Sequence, residues 1–230
     1  FILWRFFMEG TKFEKATIGE KVSNFLNSRR VIFTSVLVVA VVAVVVYAVS
    51  ATLITKSNEK GLESIDGITY KLTKDSVNLS EEELEARRTA ALDSLTALVK
   101  KGGVVGVRAN ILAGEITYSQ KKYDDAAKYW VSAAAKGKKS YTAPLAYFNA
   151  ATCYEELGKL PEAIEYYEKA ATAKDFGMAS HAEFNLARVK EANGDAEGAL
   201  EAYNSVVEKY PNDSWAALAK SRIIALSVNK

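Results

Sequence analysis

The 230-residue sequence has few of the residues that build metal sites and covalent cross-links. Its single cysteine, Cys153, excludes an intrachain disulfide and a thiolate metal cage. Its single histidine, His181, excludes a multi-histidine metal site. Three prolines leave little room for a loop-built structure, and a net charge of +2 is too small to indicate nucleic acid as the main partner.

The sequence also offers few candidate catalytic residues. A nucleophile–histidine relay could use only His181, and no spacing gives this residue a second titratable partner. Cys153 stands beside Tyr154 on a helical segment, so we expect a packed free thiol. The Glu-rich run 81–85 fans around a helix start and does not converge on a cation. We therefore predict no enzymatic activity, no metal and no cofactor.

One long apolar run is present, from Val31 to Thr55, without a charge or a proline. As a helix that rises about 1.5 Å per residue, it exceeds the roughly 30 Å hydrocarbon layer of a bilayer. An isolated strand in lipid would leave its backbone unpaired, so we predict one transmembrane helix over 31–55. The alternatives are a buried core helix or strand and a cleaved secretory signal. A peptidase could cut near Ala48–Ser50, but the run continues past that point.

The flanking charges predict the orientation of this span. The run is preceded directly by Arg29 and Arg30, whereas Lys56 begins a mixed flank. The positive-inside bias therefore places residues 1–30 in the cytoplasm and everything after residue 55 outside it. Without ionisable side chains the span should act as a tether. The basic residues on its amino side are Lys12, Lys15, Lys21, Arg29 and Arg30.

The segment before the span is short and mixed. Met8 is a candidate natural start, and residues 1–7 could alternatively lie at the membrane surface. Apolar residues at helical spacing predict a short interfacial helix that leads into the span, and a solvated tail is the alternative. These residues are Ile18, Val22, Phe25 and Leu26.

Residues 56–79 are polar and predict a linker, with a helical continuation of the span as the alternative for its first part. A new helix begins after Ser80, because Glu81–Glu83 complete a capping box and place negative charge at its amino end. Gly102–Gly103 should end this helix. We assign residues 80–230 to one domain.

That domain is repetitive. Three segments each place an alanine twelve positions after a small residue and an aromatic four positions later. The alanines recur after 37 positions (126 to 163) and then 36 (163 to 199), a length typical of helical solenoids. The triplets are Gly114, Ala126, Trp130; Ala151, Ala163, Tyr167; and Ala187, Ala199, Tyr203.

Antiparallel helices approach closely only where small side chains meet, and the aromatic fills the space toward the next pair. The segments resemble tetratricopeptide repeats (TPR), and 144–177 fits that pattern most fully. The first copy departs at Thr117 and Lys121, and the third at Glu183 and Lys190. The resemblance implies a TPR-like α-solenoid of about three helix pairs, with capping helices at 81–101 and 215–227. With the apolar run, the predicted fold is all-α: a single transmembrane helix followed by this solenoid. The matching positions of the middle copy are Tyr147, Ala151, Tyr154, Gly158, Ala163, Tyr167 and Ala170.

The resemblance also implies that the first helix of each pair lines a concave groove that binds proteins or extended peptides. Stacked Asn149 and Asn185 could hydrogen-bond a peptide backbone, with Phe148 and Phe184 as apolar contacts. The Lys/Asn/Arg clamp of chaperone-binding TPR domains has only partial counterparts here. The predicted binding residues are Arg108, Ile111, Phe148, Asn149, Phe184, Asn185 and Arg188, with Leu112, Glu115, Tyr118, Thr152, Glu155, His181 and Glu191 beside them.

The order of segments resembles single-pass TPR subunits that accompany the bacterial Sec translocon. It implies a bacterial inner-membrane protein, N-terminus cytoplasmic, whose periplasmic domain binds the translocon, chaperones or client polypeptides. The alternatives are a scaffold of a cell-envelope assembly complex and an organelle-surface receptor with a cytosolic domain.

Overall fold

The structure is a computed structural model that describes residues 17–228, and every element in this range is helical. The expectations for residues 1–7, for Lys12 and for Lys15 lie outside it. The chain divides into two compact units after Lys56. The helices are α1 (Ile18–Ser28), α2 (Arg30–Thr73), α3 (Glu81–Leu95), α4 (Gly103–Ser119), α5 (Tyr123–Lys136), α6 (Thr142–Glu156), α7 (Leu160–Ala171), α8 (Ala179–Ala192), α9 (Ala196–Lys209) and α10 (Ser214–Val228).

In the first unit, α1 begins with a capping box. The Glu20 backbone N–H donates to Thr17 Oγ1 at 3.3 Å, and the Thr17 N–H donates to Glu20 Oε2 at 2.8 Å. The helix predicted for this segment is therefore present. All four apolar side chains that suggested it are exposed, so α1 presents an apolar stripe.

The apolar run lies in α2, and every residue from Val31 to Ser50 is exposed. The helix that carries this run is the one helix, among the residues that the structure describes, that is long and apolar enough to cross a membrane. Its hydroxyl groups bond within the helix: Thr52 Oγ1 donates to the Ala48 carbonyl at 2.9 Å, and Thr55 Oγ1 to the Ala51 carbonyl at 3.0 Å. These hydroxyls therefore need no water.

Residues 57–73, expected to be a polar linker, form the carboxyl-terminal part of α2 instead. Gly61 and Ile65 are buried, and a Cβ on Gly61 would come within 2.7 Å of Val105 Cγ1 on α4. The buried positions form a narrow stripe along the helix, and the charged residues between them obscure this stripe in the sequence. The alternative, a helical continuation, describes these residues correctly. The capping box predicted at Ser80 and Glu83 is present, but α3 ends at Leu95, before the glycines.

The second unit is built from helix pairs, α4 with α5, α6 with α7 and α8 with α9, followed by α10. Its apolar core is continuous, because neighbouring clusters are linked through shared helices: one joins α2, α3 and α4, the next joins α5 and α6 with Ile111 of α4 packed against it, another joins α6, α7 and α8, and the last joins α8, α9 and α10. The predicted α-solenoid of about three pairs is confirmed.

The repeated small residues lie at the contacts between helices. Ala126, Ala163 and Ala199 are fully buried. A Cβ on Gly114 would come within 2.9 Å of the Trp130 ring, so the indole packs directly on the α4 backbone. The aromatic four positions after each alanine is buried as predicted, with Trp130 at 4%, Tyr167 at 2% and Tyr203 at 0% exposure.

The turns inside the three pairs share one backbone conformation. Gly158 and Gly194 have φ of +68° and +85°, and the equivalent residue of the first pair, Lys121, has φ of +58°. A side chain in this left-handed region costs about 1–2 kcal/mol relative to glycine. The first copy thus keeps the turn although it lacks the glycine.

We expect Ile65→Ala to lower the free energy of unfolding of the second unit by about 2–5 kcal/mol, because it removes a core side chain. Chemical denaturation of the full chain in detergent, followed by tryptophan fluorescence, measures this. Glu63→Ala, at an exposed position of the same helix, is the matched control. Equal effects of the two variants would contradict the packing of α2 into the core.

Lys121→Gly should stabilise the second unit by about 1 kcal/mol, since it relieves the left-handed conformation of a non-glycine residue. The reciprocal change, Gly158→Ala, should destabilise it by a similar amount. Thermal unfolding by circular dichroism compares the two, and a lower melting temperature for Lys121→Gly would refute the assignment.

Candidate functional site

The candidate site is the face formed by side chains of α4, α6 and α8, the first helices of the three pairs, here called the groove face. It carries the seven predicted binding residues, which differ widely in burial and bonding. These are Arg108 and Ile111 on α4, Phe148 and Asn149 on α6, and Phe184, Asn185 and Arg188 on α8.

Phe148 and Phe184 are each only 8% exposed. The Phe148 ring packs edge-on against Tyr167 at 5.4 Å between centroids, and the Phe184 ring lies 5.5 Å from Tyr203 and 5.1 Å from Trp215. Both rings therefore belong mainly to the core. Their role as partner contacts stays a prediction, and truncating them would disturb packing as well as any contact.

The two asparagines are not equivalent. Asn185 is 8% exposed, and its Oδ1 accepts from Arg188 Nε at 3.3 Å and Nη2 at 3.1 Å. Asn149 is half-buried and lines a cavity. The two thus do not present a matched amide ladder.

Arg188 makes the strongest polar contact of the groove face. Its guanidinium donates to both carboxylate oxygens of Glu155 on the preceding pair, at 2.5 and 2.8 Å. Tyr167 Oη donates to the same carboxylate at 3.2 Å. The Arg188 hydrogen bonds hold the pKa of Glu155 below its usual value against the opposing effect of burial, and burial raises the pKa of Tyr167.

The same arrangement recurs at the next junction, the contact between the third helix pair and α10. Tyr203 Oη donates to Glu191 Oε2 at 3.0 Å, and Arg222 of α10 pairs with this carboxylate. The repeat pattern places Glu155 and Glu191 on the groove face, but it did not predict these two hydrogen-bonded groups. Each group joins a tyrosine, a glutamate and an arginine and is here called a relay. The equal twelve-residue spacing of each glutamate from its tyrosine could have revealed the pattern.

Arg108 and Ile111 lie at the start of the groove face. Arg108 is exposed and pairs through Nη2 with Asp66 of α2 at 2.8 Å, so its charge is already partnered. Ile111 is half-buried and packs against the cluster of α5 and α6 side chains. Of the two, the isoleucine is therefore involved mainly in packing.

An open cavity of about 360 Å³ lies between the first and second pairs. Trp130 Nε1 is buried and has no hydrogen-bond partner among the described residues. Burial raises the pKa of the Glu115 carboxyl. The cavity thus combines an unpaired donor with a carboxyl group. It is lined by Glu115, Tyr118, Trp130, Phe148, Asn149 and Thr152.

The remaining singular residues are structural. Cys153 is fully buried, and burial raises its pKa to about 12, so the thiol is unreactive. His181 stacks on Trp215 at 3.9 Å, and burial and the Arg188 charge lower its pKa, opposed by Asp213. In the range 17–228 no group of three or more metal-ligating side chains occurs.

Glu155→Gln should lower stability near neutral pH by about 1 kcal/mol, since it removes the charge that Arg188 meets in a half-buried pair. The folded pKa of Glu155 is depressed, so its contribution is present above the unfolded pKa and is lost as the pH falls through the folded pKa.

The difference in unfolding free energy between the original chain and Glu155→Gln should therefore be constant from pH 7 to about 5 and shrink below that. Denaturant titrations at several pH values measure it. Glu165→Gln, which breaks an exposed ion pair with Lys169 within α7, is the control. A difference that does not change down to pH 3 would refute the assignment.

Comparison with known families gives two matches. Residues 113–176 match a family described as a domain of unknown function (DUF6340), and residues 181–213 match the tetratricopeptide repeat. The repeat match thus falls on the third copy, and most of the middle copy lies within the other match.

A "TPR repeat-containing protein" of Treponema pallidum (strain Nichols) is 37% identical over 153 residues, 66% of this chain and 62% of that protein. The chain thus spans less than two thirds of the length of this relative.

Two solved structures are similar. A Podosopora anserina protein described as a kinesin light chain with nearly identical TPR-like repeats superposes with a TM-score of 0.53 at 12% identity, over 71% of this chain and 83% of that one. A Rap protein in complex with competence and sporulation factor gives a TM-score of 0.46 at 22% identity, over 59% and 40%. Together, the repeat match over residues 181–213 and the fold of the first of these structures show that the chain forms a TPR-like solenoid with one copy that matches the tetratricopeptide repeat.

Proposed function

We propose that the protein is a membrane-tethered protein-interaction module. Residues 31–55 cross a bacterial inner membrane with the N-terminus in the cytoplasm. The solenoid lies in the periplasm and binds the translocon, chaperones or client polypeptides through its groove face. The exposure of every residue from Val31 to Ser50, in a chain whose second unit has a well-buried core, carries this proposal.

The tether follows from the cost of that exposure. A water-exposed helix surface of valine, leucine and isoleucine forgoes about 25 cal/mol for each Å² of apolar area. A bilayer recovers this free energy, and the helix brings no unpaired backbone group or ionisable side chain into it. The apolar stripe of α1 suits the interface beside such a span, since Arg29 caps its end and lies over the Phe25 ring at 5.7 Å.

Partner binding is supported by what the groove face offers. It presents half-buried polar groups and a cavity between helix pairs, a surface that accommodates an extended chain. The described residues bring together no nucleophile, base and orienting group, so binding without chemistry is the function that this face suits best.

The orientation can be tested by labelling in intact cells. In a Cys153→Ala background, Lys138→Cys and Ser23→Cys each introduce one exposed thiol on either side of the span. A membrane-impermeant maleimide should label the cysteine at 138 in spheroplasts and the one at 23 only after lysis. The reverse result would exclude a periplasmic solenoid and favour a cytosolic receptor.

Binding by the groove face can be tested by photo-crosslinking. A photoreactive residue in place of Asn149 should trap partners in cells, whereas one in place of exposed Glu201 on α9, outside the groove face, should not. Adducts with channel proteins of the translocon, chaperones or exported clients would support the proposal. Adducts only with envelope assembly factors would instead favour a scaffold, and equal labelling at both positions would refute groove binding.

A further inference from the structure

The junctions of α4 with α6, of α6 with α8 and of α8 with α10 have equivalent positions but different side chains. With the repeat spacing of 36 from the second copy to the third, Arg188 corresponds to Thr152. With the spacing of 37 from the first copy to the second, Thr152 corresponds to Glu115 and Glu155 to Tyr118. The relay of tyrosine, glutamate and arginine that closes the later junctions therefore has no counterpart at the first.

At the two later junctions the chain supplies its own arginine. Arg188 reaches back 33 residues to Glu155, and Arg222 reaches back 31 residues to Glu191. Each carboxylate also accepts from a buried tyrosine hydroxyl. Long side chains from the following pair thus occupy these two sites and satisfy their polar groups.

At the first junction all three members are replaced. Trp130 stands where Tyr167 does, and the short Thr152 stands where Arg188 does. Tyr167 Oη contacts side chains 12 and 15 residues earlier, Glu155 and Thr152. The residues 12 and 15 before Trp130 are Tyr118 and Glu115, and both line the open cavity.

The indole N–H of Trp130 is a second unusual feature of this cavity. Trp130 is 96% buried, and its Nε1–H has no hydrogen-bond partner between residues 17 and 228. A buried donor without an acceptor costs about 1–3 kcal/mol. An acceptor brought by a bound molecule would remove this cost.

The charges around the cavity specify the ligand further. Glu115 pairs with no cation in the described part of the chain, and the charges of Glu156 and Glu155 contribute, after burial, to raising the pKa of Tyr118. Arg188 already neutralises Glu155. The lining of the cavity thus contains one carboxyl group and no basic side chain, so it suits a cationic side chain better than a carboxylate.

We propose that this cavity receives the arginine side chain of a bound polypeptide, in the place that Arg188 and Arg222 occupy at the next two junctions. The inference rests on the proposed function of the groove face and names the residue that its first subsite selects. The guanidinium pairs with Glu115 and lies against the rings of Tyr118 and Phe148. A main-chain carbonyl of the same polypeptide accepts from Trp130 Nε1–H.

Indole NMR signals of the full chain in detergent micelles test this directly. The probe is N-acetyl-Ser-Ala-Arg-Ala-Ser-amide, and its citrulline analogue keeps shape and hydrogen-bonding groups but lacks the charge. Loss of a signal in Trp130→Phe assigns the resonance. The arginine peptide should shift it saturably, and the citrulline peptide should bind about tenfold more weakly, since charge-assisted hydrogen bonds are roughly twice as strong. Equal binding of the two peptides would overturn the proposal.

Variants of Thr152 and Glu115 provide the matched controls. Thr152→Arg should fill the cavity as Arg188 does at the next junction and abolish the response to the arginine peptide, whereas Thr152→Ser should retain it. Glu115→Gln should remove the preference for arginine over citrulline. Undiminished binding to a folded Thr152→Arg protein, or an unchanged preference in Glu115→Gln, would overturn the proposal.

The absence of an arginine site and the absence of groove binding give different experimental results. If the arginine peptide leaves the Trp130 signal unchanged while photoreactive residue 149 still traps partners, the arginine site is wrong and groove binding stands. If residue 149 also traps nothing, the proposed function fails with it.

Discussion

Close contact between helices at alanine and glycine positions is the constraint on which the rest of the structure depends. Fully buried Ala126, Ala163 and Ala199 let the backbones of each pair approach, and no larger side chain fits there without separating them. The approach directs one aromatic ring per pair into the next junction. Those rings determine where polar side chains of the groove face can meet, so both relays and the open cavity are consequences of the same packing.

The repeat pattern was sufficient to predict this architecture, because spacing of small and aromatic residues reports directly on contacts between helices. It was insufficient for residues 57–73, where a narrow stripe around Gly61 and Ile65 is diluted by charged neighbours. The stripe can be recognised as a packing surface only from the part of α4 that it contacts. The contact is close, because a Cβ on Gly61 would clash with Val105. Local sequence does not contain this information.

The candidate site shows a second limit of sequence reasoning. Periodicity assigns Phe148 and Phe184 to the correct helices and face, but burial depends on what packs over them. His181 lies 4.8 Å from the Phe148 ring, and Trp215 covers Phe184. Similarly, the spacing pairs Asn149 with Asn185, whereas the bond from Arg188 engages only Asn185. A repeat predicts positions, and the side chains of the following pair decide which positions remain available.

The three junctions therefore differ in their side-chain contacts although the repeat places the same backbone positions at each. Arg188 and Arg222 close two of them with charge-assisted hydrogen bonds that hold consecutive pairs in register. The first junction forgoes this stabilisation: Thr152 is too short to reach across, and Trp130 keeps a buried donor without an acceptor in the part of the chain that the structure describes. The arginines of the chain thus fill the two later junctions, whereas the first junction keeps an open cavity lined by Glu115 and Trp130.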